Sequence, residues 1–559
     1  MNKAAFSVVA ILFASAPALA QQGDWQGPFT VTPKWAPFLD VEGIVGTKRS
    51  LGQLDLFVPL GQDERTLLFA DARFTADDQN SLEGNFGLGG RHMLAGGWNA
   101  GAYGYYDRRR TSSWNAYSQL TFGAEMLGLN FDLRANTYWP IGQTSNVVGS
   151  TGGPPTAAVS GTTLLVTFPA SSLSTEYAMT GFDAEAGARI PVFSTSGPYD
   201  LRFYAGGYRF SDGVTPVIAG PRLRLQFTNY RIPELWGGTR LMAGVEYQYD
   251  DVRGSQGFAT LRLRVPLQAE ARRGTLTYQE RRMTDPIVRD IDIVAQVQTV
   301  STPASTEAAT ATATGNTLAV VNSASTSGAG LQTALTNAGA NSTVVLAGTF
   351  STTGQTNLAS GQTVVGSAPI AVRTASGRTA TVTPSNGATI SATTTGTTAT
   401  VGMADNSRLS GLTIANTGSS ASPPIGVLAS GVSGATISGN TINVTSTAGG
   451  SATGVRVTSG ATNITVSGNT ISASNTGTGT AFAFQLSGSG GSSSATLNGN
   501  SLDATRATAG NPEVISLVGS GNTATFLTGS TGNVRGGGVC ASSGTVVGFA
   551  GFTNGTTCP

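Results

Sequence analysis

The sequence predicts an all-β protein in two parts: an N-terminal twelve-stranded transmembrane antiparallel β-barrel and a C-terminal parallel β-helix. Three observations lead there. Segments close to the length of a tilted membrane strand alternate apolar and polar side chains between residues 36 and 267. Charge is concentrated in the first 300 of 559 residues; beyond them stand only Glu307, Asp405, Asp503, Glu513 and six arginines. A short glycine-centred motif also recurs between residues 408 and 502, at spacings of 28, 29 and 31.

In chain order, residues 1–20 read MNKAAFSVVAILFASAPALA. A lysine precedes an apolar run that ends in Ala18-Leu19-Ala20, the small-x-small pattern of signal-peptide cleavage. No later stretch supplies 18 consecutive apolar residues, so export without a helical anchor is expected. Residues 21–35 are assigned to a short periplasmic segment. Strands are expected at 36–47, 51–60, 65–74, 82–94, 98–108, 115–126, 129–140, 176–189, 200–211, 219–231, 240–250 and 256–267. The 141–175 connection is expected to be a long extracellular loop, on the same side as 75–81 and 109–114.

The stretch 131–139, FDLRANTYW, shows why a membrane is inferred. Phe131, Leu133, Ala135, Thr137 and Trp139 fall on one face; Asp132, Arg134, Asn136 and Tyr138 fall on the other. Likewise Leu223, Leu225 and Phe227 oppose Arg222 and Arg224, and Leu261, Leu263 and Val265 oppose Arg262 and Arg264. A soluble sandwich would turn the charged face to water, whereas a membrane barrel turns it to a lumen. A soluble exterior usually carries many lysines, yet none follows Lys48. Arginine pairs better with carboxylates in a confined space, through its planar, weakly hydrated fork. Asp132, Arg134, Arg222, Arg224, Arg262 and Arg264 therefore read as lumen wall, and the apolar face as lipid-facing. A formal charge of +1 with no basic cluster argues against a nucleic-acid partner.

The runs LLFADARFTADDQNSLEGNFGLGGRHML, WNAGAYGYYDRRR, FDLRANTYWPIG, GFDAEAGARIP and AGGYRF resemble the β-domain of inverse autotransporters, the intimin and invasin family, over about residues 36–300. The resemblance implies a barrel at 36–267 and a linker at 268–300 that threads the lumen to a C-terminal passenger. It also implies outer-membrane lipid, barrel-assembly machinery and periplasmic chaperones as partners. Arg281, Arg282, Asp285, Arg289, Asp290 and Asp292 lie in the linker, and their charges match a mixed-sign wall. The sixteen residues from Asp285 to Val300 would span roughly 50 Å when extended, enough to cross a membrane. The alternative is a periplasmic tether with solvated charges. Few residues precede the first strand and no immunoglobulin-like repeats follow the barrel, so the family's receptors do not transfer.

Residues 301–329 are Ala, Ser and Thr with little pattern, expected as a flexible stalk. Leu331 and Leu335 then make a short helical stripe before a β-rich run. That opening resembles right-handed parallel β-helices of the pectate-lyase type, expected over 330–535. The repeats RLSGLTI, TISGNTI, TVSGNTI and TLNGNSL place aliphatics in phase and offer Asn440, Asn469 and Asn500 as an amide ladder. A disordered tract remains the alternative for 385–400 and 487–494. Residues 536–559 are expected to cap the end. Cys540 and Cys558 either pair there, contributing roughly 3 kcal/mol by chain entropy, or remain thiols.

No phosphate loop, H-E-x-x-H or G-x-S-x-G motif is present, and the repeats lack His and Lys. The sequence therefore predicts no catalytic, cofactor or metal residues, and no enzyme. By analogy with the family it resembles, the chain is expected to be an adhesin displayed on a Gram-negative outer membrane, binding an unknown surface ligand, glycan or protein, on host cells, other bacteria or surfaces. The runner-up is a surface-tethered carbohydrate-active β-helix enzyme. An open porin would need the linker outside the lumen.

Overall fold

A computed structural model describes residues 34–558, apart from 233–234, 236–237, 268–275, 395–397, 420 and 508–510. The expected signal peptide and part of the linker lie outside the described residues. The chain forms two compact units: residues up to 151 with 172–301, and residues 152–171 with 302–559.

The first unit is a closed barrel. In chain order it uses β1 (Phe38–Gly46), β2 (Leu51–Gln62), β3 (Thr66–Asp77), β4 (Leu82–Met93), β5 (Asn99–Arg110), β6 (Ala116–Leu127) and β7 (Phe131–Ile141). Four short strands follow: β8 (Ser145–Thr151), β9 (Thr156–Ser160), β10 (Thr163–Phe168) and β11 (Ser171–Ala178). The wall resumes with β12 (Thr180–Arg189), β13 (Tyr199–Ser211), β14 (Ile218–Asn229), β15 (Arg240–Asp250) and β16 (Gly254–Pro266). β12 pairs antiparallel with β7, and β1 with β16 from Phe38↔Pro266 to Gly46↔Phe258, which closes twelve strands. The alternation of 131–139 becomes the two sides of the wall. Phe131, Leu133 and Trp139 are exposed, whereas Asp132, Arg134, Asn136 and Tyr138 are buried. Among the described residues no helix is long and apolar enough to span a membrane, and strands do the crossing instead.

Two expectations fail here. The connection 141–175 is not a plain loop, since it carries β8–β11. The expected strand 176–189 is also two strands. Glu176 is held by Thr111 Oγ1 (2.9 Å) and Asn115 Nδ2 (2.6 Å), and the Met179 amide donates to Val294 O (2.9 Å), so β11 ends at Ala178 and the barrel strand begins at Thr180.

The second unit is a β-solenoid of three stacked parallel ladders. One coil consists of Thr436–Ser438, Thr441–Ser446 and Ala452–Thr458; the next of Ile464–Ser467, Thr470–Asn475 and Ala481–Ser487. The registers align the repeats residue for residue, Leu409↔Ile437↔Val466↔Leu497 and Ile414↔Ile442↔Ile471↔Leu502, and all eight are buried. Gly411, Gly439, Gly468 and Gly499 turn the first ladder into the second at φ between 62° and 66°, a conformation that only glycine adopts without steric cost. The helix Gly328–Ala338, capped by Ser327, buries Leu331 and Leu335 against the first coils.

The expected boundaries move at both ends. The stalk expectation for 301–329 is overturned: β17 (Ala295–Thr302), β18 (Ser305–Thr312) and the strand Leu318–Asn322 occupy it. β17 continues the β8–β11 sheet, and Leu318–Asn322 already pairs with Thr343–Ala347 as the first solenoid rung. At the other end Val539–Val547 still pairs with Glu513–Phe526, leaving only the Ala550–Gly551 and Thr557–Cys558 hairpin outside the ladders. Strands also occupy Ala388–Thr394, Ala399–Gly402 and Ser493–Asn498, within or beside the two stretches for which disorder was the alternative.

Candidate functional site

Strand parity aims one face of every barrel strand inward, and register sets charges of opposite sign side by side. Arg134 on β7 lies opposite Glu125 on β6 and Glu185 on β12. Its Nη1 reaches Glu185 Oε1 at 2.9 Å, and Arg224 Nη2 reaches the same oxygen at 2.6 Å. Arg264 is bidentate on Asp40 (2.9 and 3.0 Å), and Arg262 bonds Glu42 and approaches Asp55 at 3.4 Å. These four arginines thus pair within the wall.

Other wall residues grip residues 276–294. At the rim formed by the β4–β5 turn, Gln279 Nε2 donates to Leu94 O and Trp98 O (3.1 and 3.0 Å), and Trp35 Nε1 donates to Glu280 O (2.9 Å). There Thr277 caps a five-residue helix, Tyr278–Arg282, which ends before the stretch from Asp285 that was expected to be extended. Arg282 is bidentate on Asp132 (2.6 and 2.8 Å) and also reaches Asp285 (2.9 Å), which Arg240 holds from β15 at 2.9 Å. Arg91 Nη1 donates to Met283 O and Asp285 O (2.8 and 2.7 Å), and Arg73 Nη1 to Ile287 O (3.0 Å). Further along, Arg289 meets Asp107 (2.9 Å), Arg222 meets Asp290 (3.3 Å), and Arg49 and Arg109 share Asp292 (2.6 and 2.8 Å). At the opposite rim the Ile293 amide donates to Glu83 Oε2 (2.9 Å). The contacts therefore progress along the full length of β4, from beyond Met93 to Glu83. Arg281 bonds the backbone of Thr195 and Gly197 instead of a carboxylate. Beside residues 286–291 a cavity of about 120 Å³ remains, lined by Glu42, Arg73, Arg224, Glu246 and Arg262 among others. It has room for a few waters and no more.

Of the six wall residues Asp132, Arg134, Arg222, Arg224, Arg262 and Arg264, Asp132 and Arg222 bond the segment. Arg73 and Arg91 fall on the inward, charged face by the same alternation, whereas Arg49, Asp107, Arg109 and Arg240 were missed. Parity alone places Asp107 and Arg109 on the face of Tyr103 and Tyr105, and Arg240 on that of Glu246. Nothing in the pattern says that Arg91 and Arg73 seek backbone carbonyls.

In the solenoid the Asn440 amide donates to Asn469 Oδ1 (2.9 Å), that of Asn469 to Asn500 Oδ1 (2.9 Å), and that of Asn500 to Asn533 Oδ1 (3.0 Å). Their Nδ2 groups donate to Leu409, Ile437, Val466 and Leu497 carbonyls (2.7–2.9 Å). Asn533 was missed, although Gly532-Asn533 repeats the Gly-Asn signal. Cys540 and Cys558 form a disulfide, Cα–Cα 5.6 Å, tying the last ladder strand to the terminal hairpin. Asp405 and Asp503 accept backbone amides of Ser433 (2.7 Å) and Gly537 (2.6 Å), the work of turn residues.

A barrel apolar outside and charged inside, with its own downstream chain bonded along that inside, is the translocating anchor of an outer-membrane protein that carries a passenger. Residues 37–198 match the family model described as Inverse autotransporter, beta-domain. This part of the chain is an inverse autotransporter β-domain, anchored in a Gram-negative outer membrane with the solenoid passenger at the cell surface. No curated protein matches. Solved structures with some likeness include the translocator domain of autotransporter NalP from Neisseria meningitidis (13% identity, 46% of this chain and 95% of that one, TM-score 0.20). Others are the β-domain of the Bordetella autotransporter BrkA (10%, 41% and 98%, 0.21) and outer membrane phospholipase A from Escherichia coli (14%, 44% and 96%, 0.24). At such TM-scores these likenesses carry no argument about function.

Proposed function

We propose that the displayed solenoid is an adhesin that binds without catalysing, and that residues 276–294 are the tether that stays in the lumen after export. The carrying observation is the solenoid surface. Thr413, Thr441, Thr470 and Ser501 stand in one outward column, and Arg408, Thr436, Thr465 and Thr496 in another. A hydroxyl column repeating at the strand spacing suits many weak contacts to a repetitive ligand, a glycan or a protein array, with avidity from multiplicity. Asp405 and Asp503 are committed to backbone amides, which fits binding better than acid–base chemistry. Barrel-assembly machinery and periplasmic chaperones are the partners this reading requires before display.

The test is cell adhesion to glycan arrays, host-cell monolayers and abiotic surfaces, before and after external protease removes the solenoid. Adhesion that vanishes with the solenoid supports the reading. Unchanged adhesion, or depolymerisation of a polysaccharide by the intact protein, overturns it in favour of another role or of the enzyme.

A further inference from the structure

Residues 152–171 interrupt the barrel chain between β8 and β11, yet they fold with the passenger. β9 and β10 form a hairpin turned at Gly161 (φ 59°). β10 pairs antiparallel with β18, Leu165↔Ala308 to Phe168↔Ser305, in a five-stranded sheet that continues through Ile370–Thr374 and Thr379–Val382. Ala157 O accepts the Ser385 amide (3.0 Å), and the Val159 amide donates to Asn386 Oδ1 (2.7 Å). Leu164 and Val166 are fully buried, packed with Ala157 and Phe168 against Val345, Val365, Val372 and Val382.

One outward column of the solenoid shows what this hairpin is for. It runs Val320↔Val345↔Val365, then Ser410↔Ser438↔Ser467↔Asn498. In this column the outward positions are apolar in the first coils, where the hairpin sheet covers them, and polar in the later ones. The passenger's opening rungs therefore carry a hydrophobic face whose cover is encoded about 150 residues upstream, within the barrel's chain.

We propose that the hairpin 152–171 is a folding template, the nucleus on which the passenger's first coils form before the later coils add in sequence. A solenoid can nucleate anywhere and then propagate through neighbour contacts, so the first rung is the costly step. A hairpin already fixed at both ends to a folded barrel offers an edge strand and an apolar face at high effective concentration, which lowers that cost. The Val-to-Ser switch directs the start to one end of the solenoid.

The test uses the full-length protein in micelles, its passenger unfolded in urea while the barrel stays folded, then refolded with pulsed hydrogen exchange. Thr151 already faces Ser172 in the β8–β11 ladder. Residues 152–171 can therefore be excised and Thr151 joined to Ser172 by an Asn-Gly turn. The wild type should gain protection first at 343–374 and later at 436–506. Excision should slow passenger refolding about tenfold or more, or abolish it. The milder Val166→Ala should slow refolding by the factor that it takes from the equilibrium constant, with the unfolding rate unchanged. Refolding of the excised variant at the wild-type rate would overturn the template. So would a Val166→Ala loss lying wholly in unfolding, which would make the hairpin a late cover only.

Discussion

In the barrel many of the buried polar side chains are charged. In the solenoid they are amides and hydroxyls. Asp132, 1% exposed, is gripped by Arg282 and approached by Arg202 at 3.1 Å. Asn440, Asn469 and Asn500 are as deeply buried and carry no charge at all. The reason lies in what each element faces. A strand whose outer side meets lipid must put its polar side chains inside, and a crowded polar interior is satisfied by mixed-sign pairs. A solenoid in water turns the alternation inside out: aliphatics fill the interior and only corners need hydrogen bonds. Charges specify particular partners, as Asp132 does for Arg282 and Arg202. An amide ladder specifies only its own repetition, so coils extend it indefinitely.

The largest expected effect is on the charged side. Asp132→Ala takes from buried Arg282 its bidentate partner and leaves it Asp285 alone, at a cost approaching about 3–5 kcal/mol. That loss should fall on the tether rather than the wall. Single-channel conductance of the full-length protein in planar bilayers should rise, while the barrel keeps its heat-modifiable migration on gels. Replacing both partners, Asp132→Leu with Arg282→Met, should restore most of the closure. Conductance unchanged by the single variant would show that this pair does not hold the segment.

The contrast also explains what was legible. Barrel strands alternate against a fixed apolar outside, so 131–139 declared its two faces, and the twelve-stranded count agrees with the structure. Solenoid rungs repeat in phase, so glycines 411, 439, 468 and 499 were visible. The short strands in 145–178 and 305–312 were not. They are short and rich in Ser, Thr, Ala and Val, and β10 finds its partner β18 some 140 positions away. No local period records such a pairing. The lumen contacts were half legible for a similar reason: parity points a side chain inward, but whether it meets a carboxylate or a carbonyl depends on the path of 276–294.

On the amide side the largest expected effect is at the end. Cys558→Ser removes a bond that closes an 18-residue separation, worth roughly 3 kcal/mol in the chain-entropy account. Cys558 is fully buried and pairs with Ala550 in the terminal hairpin. Hydrogen exchange should quicken over 539–558, while 436–471 keeps its protection because each coil rests on its own neighbours. Loss of protection throughout the solenoid would break the picture of independent rungs.

Within the ladder, Asn469→Ala should cost about 1–3 kcal/mol, since it removes the side-chain partner of the buried Ile437 carbonyl and of the Asn440 amide. The effect should be local, read as faster exchange at 437–443 and 469–472 with little change beyond 510. A global drop in stability would mean that the ladder acts as one cooperative unit.

The smallest expected effect tests a rare charge on the solenoid side. Glu307 on β18 accepts from the Ser376 hydroxyl and lies 3.5 Å from Arg378. Those hydrogen bonds, that of Ser376 foremost, hold its carboxyl below the usual glutamate range. A carboxyl lowered on folding stabilises the folded state above its unfolded value, and that contribution fades as pH falls through the folded value. The five-stranded sheet should therefore keep constant protection at neutral pH and loosen slightly in acid. The group is solvent-accessible, so the change should be small and should shrink further in high salt. Exchange of 305–312, compared between wild type and Glu307→Gln at matched pH, isolates it: the two should differ at neutral pH and converge in acid. A difference that persisted or grew in acid would mean that Glu307 acts through packing instead of charge, and the solenoid side would then have no charge on which β18 depends.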